Sequence, residues 1–175
     1  MSLKKIKVIA VFGIFVLSFL VHFMYDLFPN FLFSIIFPVN ESIWEHMKMI
    51  FTSILLYGII DYYLLVKNNM EFNNFRFQLF FTAFISIPIY LVLYLPLYRI
   101  WGENFIISIG LLFLVYGISE IISYYLLKEK EYRYVNDLSI PLIIIGYIIF
   151  GILTYNPPHN YLFYDNSEGK YGIKG

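Results

Sequence analysis

The sequence predicts an all-α integral membrane protein, a five-transmembrane-helix bundle made of a single membrane domain, residues 1–175. Five runs of mostly apolar residues are each long enough to cross a bilayer. The composition agrees, because 60% of the residues are hydrophobic, only 14% are charged and the mean hydropathy is +0.72.

The 12 Lys and Arg against 12 Asp and Glu leave no basic surface for nucleic acid, so membrane lipid is the expected partner. The absence of cysteine excludes disulfides and thiolate metal sites.

The predicted spans cover residues 8–25, 44–65, 77–97, 105–127 and 138–155. The first span follows a lysine-rich start, as a signal peptide does, but it is too long and no small-residue cleavage site follows it, which predicts an uncleaved anchor. Pro88 predicts a kink inside the third span. The fifth span is predicted to end at Asn156, which precedes Pro157 and Pro158.

The distribution of basic residues predicts the orientation of the chain. One side of the spans has eight Lys and Arg residues, namely Lys4, Lys5, Lys7, Lys67, Arg76, Lys128, Lys130 and Arg133. The other side has four, namely Lys48, Arg99, Lys170 and Lys174. The positive-inside rule therefore predicts a multi-pass protein of the cell membrane with a cytoplasmic N-terminus and an extracytoplasmic C-terminus.

Two segments outside the spans are also predicted to lie at the outer face. Residues 30–37, between Pro29 and Pro38, are too few to cross and too apolar for water, which predicts a short interfacial helix or a shallow re-entrant turn. The tail, residues 156–175, is too short and too rich in turn formers to fold alone. We expect it to fold back over the outer helix ends, with a disordered tail as the alternative.

The outer face is predicted to collect all three histidines and many carboxylates in a polar cap. His22, His46 and His159, with Asp26, are candidate ligands for zinc or a similar divalent metal. His46 is also a candidate catalytic group together with Glu41 or Glu45, which are four residues apart and would share one face of a helix. A histidine–carboxylate acid/base pair is the metal-free alternative. Further polar or aromatic residues predicted at this depth are Asn40, Ser42, Trp44, Arg99, Glu103 and Asp165.

Each of these residues also has a purely structural interpretation. Ser42 and Glu45 have the spacing of a capping box, which satisfies helix-start amides without any chemistry. Trp44 and Trp101 are typical of interfacial anchors, and Lys48 can extend its ammonium to the interface.

Two carboxylates lie deeper, within the predicted spans. Asp61 is close enough to a helix end to reach the headgroups, whereas Glu120 is about 10 Å deep by the helical rise. An ionised carboxylate at that depth is costly, so Glu120 should face the bundle and be paired, hydrogen-bonded or protonated. Tyr116, Ser123 and Tyr124 are candidate donors from its own helix. A proton or cation relay that links Glu120 with Asp61 is the functional alternative.

Three stretches resemble a family of small, uncharacterised polytopic membrane proteins of low-GC Gram-positive bacteria. They are His22 with Tyr25 and Asp26, the run PVNESIWEHMK over residues 38–48, and the tail motif PPHNYLFYD that begins at residue 157 and continues to YGI at 171–173. The resemblance implies the topology and that these residues belong together, and it implies no activity.

Three functional hypotheses follow. The first is a metal-assisted or acid/base hydrolase or transferase that acts on a lipid or an envelope group. The second is a small transporter or channel component with an inner relay of Glu120 and Asp61. The third is a non-catalytic accessory protein whose cap is an interface.

Overall fold

The computed structural model describes residues 1–173, so Lys174 and Gly175 lie outside the described residues. It confirms an all-α bundle in which five helices of 23 to 27 residues are long and apolar enough to cross a membrane. A short sixth helix and a two-stranded hairpin complete the described chain. The elements are α1 Leu3–Leu27, α2 Phe31–Ile36, α3 Ile43–Lys67, α4 Phe75–Trp101, α5 Phe105–Lys128, α6 Arg133–Tyr155, β1 Tyr164–Asp165 and β2 Lys170–Tyr171.

Each long helix covers its predicted span, and most extend beyond it by several residues. The apolar run ends where lipid is expected to end, whereas the backbone hydrogen bonds continue into polar sequence. Thus α1 begins at Leu3, where the Ser2 side chain accepts a hydrogen bond from the Lys5 amide, and α6 begins at Arg133.

Pro88 and Pro96 both lie inside α4. Neighbouring helices make interior prolines tolerable in membrane helices.

The bundle is assembled around α1, α3, α4 and α5. α1 packs against α3 and α5, and α4 packs against α3, α5 and α6. Small residues allow close approach: an added Cβ at Gly13 of α1 would lie 2.1 Å from the Tyr57 ring of α3. Buried hydroxyls join α4 to α5, with Ser86 Oγ 2.6 Å from Ser119 Oγ.

One end of the bundle contains a buried ion triad, which we call the Lys7 triad (Lys7, Asp61 and Glu120). Lys7 Nζ lies 2.5 Å from Asp61 Oδ2 and 3.2 Å from Glu120 Oε2, and all three side chains are buried. The prediction that Glu120 faces the bundle and is paired is therefore confirmed. The expected donors were wrong, because Ser123 donates to Gln78 Oε1 instead and a lysine of α1 supplies the counter-charge.

The opposite end, which we call the cap end, contains α2 and the tail. α2 packs against α6. Two side chains of α3 reach its C-terminal carbonyls: Lys48 Nζ donates to the carbonyls of Ser34 and Phe37, and Thr52 donates to that of Ile36. Residues 30–37 therefore contain a short helix rather than a turn, and its position at the membrane interface stays a prediction.

The tail folds back over the helix ends, as the sequence predicts. Its backbone is hydrogen-bonded to α3 and α6, because Leu162 O accepts from the Trp44 amide and the Ile173 amide donates to Thr154 O. Gly172 has a φ of +56° and lies where an added Cβ would be 2.4 Å from Thr154 O, so only glycine fits. Trp44, predicted as an interfacial anchor, is half-buried and stacks on Phe163 at a centroid distance of 4.9 Å.

Candidate metal centre

Two histidines and one glutamate meet at the cap end. His22 lies on the last turns of α1, Glu41 lies just before α3, and His46 lies on the first turn of α3. His22 Nε2 is 3.1 Å from Glu41 Oε1, and His46 Nε2 is 3.7 Å from Glu41 Oε2. One potential ligand atom from each residue lies within 4.8 Å of the other two. We call His22, Glu41 and His46 the cap cluster.

The backbone determines which nitrogen of His46 faces the cluster. Its Nδ1 is 3.0 Å from the carbonyl oxygen of Ser42, one turn earlier. Because a carbonyl oxygen only accepts, Nδ1 is the protonated nitrogen in the neutral ring and the Nε2 lone pair is directed at Glu41. A metal-binding histidine has the same arrangement, with the second nitrogen donating to a carbonyl or a carboxylate.

Glu41 is positioned by the folded tail and by its own loop. Its backbone amide donates to Asp165 Oδ2 at 3.0 Å, and Asp165 is fully buried. The other oxygen of Asp165 accepts from Ser167 and from the Glu168 amide, which makes this carboxylate the centre of a turn. The neighbouring Asn40 side chain joins the Ser42 amide to the Gly172 carbonyl. The loop that presents Glu41 is therefore held at several points.

The surroundings of the cap cluster are acidic. A polar cavity of about 80 Å³ beside it is lined by His22 and by the carboxylates of Asp26, Glu41, Asp165 and Glu168. The side chains of His22 and His46 are 20% and 22% exposed, and that of Glu41 is 50% exposed, so solvent and ions reach the cluster. An excess of carboxylates around partly exposed imidazoles attracts a cation.

The hydrogen bond with His22 lowers the pKa of Glu41, although partial burial opposes that shift. A lowered pKa in the folded state means that the pairing stabilises the fold above the ordinary pKa of glutamate. The stabilisation is lost as the pH falls through the lowered pKa. Because Glu41 is half exposed, solvent screens this contribution and keeps it small.

Glu45 does not belong to the cap cluster, which corrects the expectation that it shares a face with Glu41. Helical spacing does not apply to the pair, because Glu41 precedes the first residue of α3, Ile43. Glu45 is buried and points into the bundle, where its Oε2 lies 2.5 Å from Lys48 Nζ and its Oε1 accepts from Thr154. Glu45 is therefore not part of the cap cluster, and the Lys48 ammonium points into the bundle rather than out to the interface.

The predicted capping box is half formed. Ser42 is the N-cap of α3, and its side chain accepts from the Glu45 amide at 3.4 Å. The Glu45 carboxylate does not return the bond. It accepts instead from the Val39 amide at 3.2 Å, which ties the loop before Glu41 to the buried pair with Lys48.

His159 is not among the three residues of the cap cluster. Its ring is exposed and stacks on Tyr171 with a centroid distance of 4.5 Å and an interplanar angle of 14°. The tail folds back as expected, but the residue that it brings to Glu41 is Asp165, six positions later. The His159 ring stacks on Tyr171, which pairs with Tyr164 in the two-stranded hairpin.

The remaining predicted residues have other positions. Asp26 lies one turn after His22 on α1 and lines the same small cavity. Glu103 accepts from the Asn166 side chain at 2.5 Å, which joins the end of α4 to the tail, and Arg99 is exposed. Sequence reasoning missed Glu168 as a lining residue, although an aspartate followed two residues later by serine is a typical turn signal.

The fold and the site together define a polytopic helical-bundle membrane protein with a histidine–carboxylate cluster at one end. A family model described as "Family of unknown function (DUF6512)" matches residues 1–173, so the chain belongs to this family. Comparison with curated proteins and comparison with solved structures found no match. The family match covers residues 1–173 and assigns no activity.

Proposed function

We propose that the cap cluster binds a divalent metal, zinc, and that the protein is a metal-assisted hydrolase or transferase acting on a lipid or an envelope group. The supporting observation is that three ligand atoms, one from α1 and two from the stretch that opens α3, lie within 4.8 Å of one another. Zinc ligands about 2.1 Å from a tetrahedral centre are about 3.4 Å apart. The distances of 3.1 Å and 3.7 Å from Glu41 to the two histidines lie on either side of that value.

The residues around the cluster suggest how the chemistry would be divided. Three protein ligands leave one coordination position open, which is typical of catalytic rather than structural zinc sites. A metal held there supplies a Lewis acid for a carbonyl or phosphoryl oxygen. Asp26 is exposed and lines the adjoining cavity, so it would accept a proton from the attacking hydroxyl group. Asp165 is saturated with hydrogen bonds and would position Glu41 rather than react.

Zinc titration of the purified full-length protein, stripped with a chelator, tests the site. We expect one zinc per chain at pH 7.5. At pH 5 binding should be at least about thirtyfold weaker than at pH 7.5. Protonation of a single histidine with an ordinary pKa of about 6.5 already competes with zinc to that extent. His159→Ala should bind zinc as the parent does, since that ring stacks on Tyr171. A protein that binds no zinc would instead favour the metal-free acid/base pair of His22 and Glu41.

A second experiment tests the chemistry. The zinc-loaded protein is incubated with vesicles of mixed phospholipids, and the products are identified by mass spectrometry. Zinc-dependent release of a headgroup or an acyl chain that is reduced in Asp26→Asn would support the hydrolase or transferase. Zinc binding without any turnover of lipid or envelope extracts would favour the accessory role.

We further propose that the cap end faces the outside of the cell membrane, with the N-terminus in the cytoplasm. The excess of Lys and Arg at the opposite end supports this orientation. A periplasmic-type phosphatase reporter fused after residue 175 should be active, and a cytoplasmic reporter at the same position should be inactive. The reverse pattern would place the cap cluster in the cytoplasm and exclude an envelope substrate.

The transporter hypothesis has one supporting observation, because Asp61 and Glu120 share Lys7 in the bundle interior. Between the Lys7 triad and the cap cluster, the helices bury apolar side chains such as Ile14 and Ile50 together with hydroxyl groups such as those of Ser18 and Ser53.

A further inference from the structure

A cavity of about 340 Å³ lies beside the Lys7 triad, between α1 and α5. Its volume is within the range of small-molecule sites. Val8, Ile121 and Tyr125 are each more than half exposed, so the cavity belongs to the side of the bundle that would face lipid. We call it the α1/α5 cavity, and its lining residues are Lys4, Lys7, Val8, Val11, Gly117, Glu120, Ile121, Tyr124 and Tyr125.

One buried carboxylate oxygen of this cavity has an ion-pair partner but no directed hydrogen bond. Glu120 is 5% exposed, and in the described part of the chain its Oε2 accepts no hydrogen bond. Lys7 Nζ lies 3.2 Å away as an ion-pair partner, while its directed hydrogen bond goes to Asp61 Oδ2. A carboxylate oxygen has two lone pairs, so Glu120 Oε2 keeps an acceptor site that a hydroxyl group of a ligand in the cavity can fill.

The charges around the cavity restrict the ligand further. Lys4 is exposed and lines the cavity, where it can pair with an anion such as a phosphate. Lys128 lies close by, with its Nζ 5.0 Å from the centroid of the Tyr124 ring. The rest of the lining is apolar or aromatic and runs along both helices. The cavity thus offers a cation, a buried acceptor and an apolar wall.

We propose that the α1/α5 cavity binds a hydroxyl-bearing anionic phospholipid. Its phosphate pairs with Lys4, a hydroxyl of its head donates to Glu120, and an acyl chain lies along Val8, Val11 and Gly117. A choline head has no donor for Glu120, and phosphatidic acid has no head hydroxyl beyond its phosphate. The site therefore distinguishes phospholipids by their heads and is independent of the cap cluster.

Two glycines of α5 provide a matched test. An added Cβ at Gly117 or at Gly110 has no neighbour within 4 Å, so both positions are open to the start of a side chain. Only Gly117 lines the α1/α5 cavity, where a leucine would occupy the place of the acyl chain. The full-length protein in detergent is titrated with short-chain phosphatidylglycerol. We expect Gly117→Leu to bind it about tenfold more weakly than the parent and Gly110→Leu to bind it as the parent does.

The lipid series tests the headgroup. The parent protein should prefer phosphatidylglycerol to phosphatidic acid and to phosphatidylcholine, each by about tenfold or more. Thermal unfolding of each variant verifies that it is folded. Equal binding of the three lipids would overturn the proposal, as would equal binding of phosphatidylglycerol by Gly117→Leu and Gly110→Leu. Binding of phosphatidic acid as tightly as phosphatidylglycerol would show that Lys4 acts alone, which would also overturn the role of Glu120.

Discussion

Replacement of either histidine of the cap cluster with alanine should weaken zinc binding by at least about 100-fold. Loss of a residue that only hydrogen-bonds to a metal ligand typically lowers metal affinity by about 10- to 100-fold, and loss of a ligand itself should cost at least as much. His22 and His46 each supply one of the three candidate ligand atoms. Removal of either leaves two protein ligands, too few for a stable zinc site. Zinc affinity is measured by titration against a competing chelator at constant pH.

His159→Ala is the control that separates this prediction from a general effect of histidine removal. It deletes the same side chain at the same end of the bundle, but at a residue that stacks on Tyr171. Its zinc affinity and thermal unfolding should match those of the parent. If His22→Ala and His46→Ala bind zinc as tightly as His159→Ala, the cap cluster is not the metal site.

Removal of Lys48 should destabilise the protein by about 3–5 kcal/mol, the cost of leaving one partner of a buried ion pair without its counter-charge. Lys48 is fully buried, and its Nζ contacts Glu45, Thr154 and two carbonyls at the end of α2. Lys48→Met keeps the volume of the side chain but strands the Glu45 carboxylate. Thermal or denaturant unfolding in detergent measures the loss.

Two comparisons verify the cause of this loss. Adding Glu45→Leu to Lys48→Met removes the stranded charge, so the double variant should be more stable than the single variant. Arg76→Ala breaks an ion pair whose partners are 53% and 56% exposed, and it should cost less than about 1 kcal/mol. A Lys48→Met protein as stable as Arg76→Ala would contradict the account, and so would a double variant no more stable than the single one.

The sequence alone was sufficient for the fold class and for the number and position of the membrane spans. Membrane spans depend on long apolar runs that are local in sequence, because each helix satisfies its own backbone hydrogen bonds in lipid. The five spans and the N-cap at Ser42 could therefore be predicted without knowledge of tertiary contacts, whereas residues 30–37 were left open between a short helix and a turn.

The composition of the site was predicted only in part. His22, Glu41 and His46 were candidate residues because they lie at the same depth, and depth follows from the spans. Depth does not specify direction around the bundle, which is why Glu45 and His159 were expected at the same site. The structure directs Glu45 inward to Lys48 and places His159 on Tyr171.

The ion pairs were decided by tertiary structure alone. Lys7 meets Asp61 and Glu120 across three helices, and Lys48 meets the carbonyls of α2 and the side chain of Thr154 on α6. The sequence determined that charges within apolar helices must be paired, because an isolated charge in lipid is costly. Which partner each charge takes depends on helix rotation and packing between distant segments, and no local pattern in the sequence specifies those.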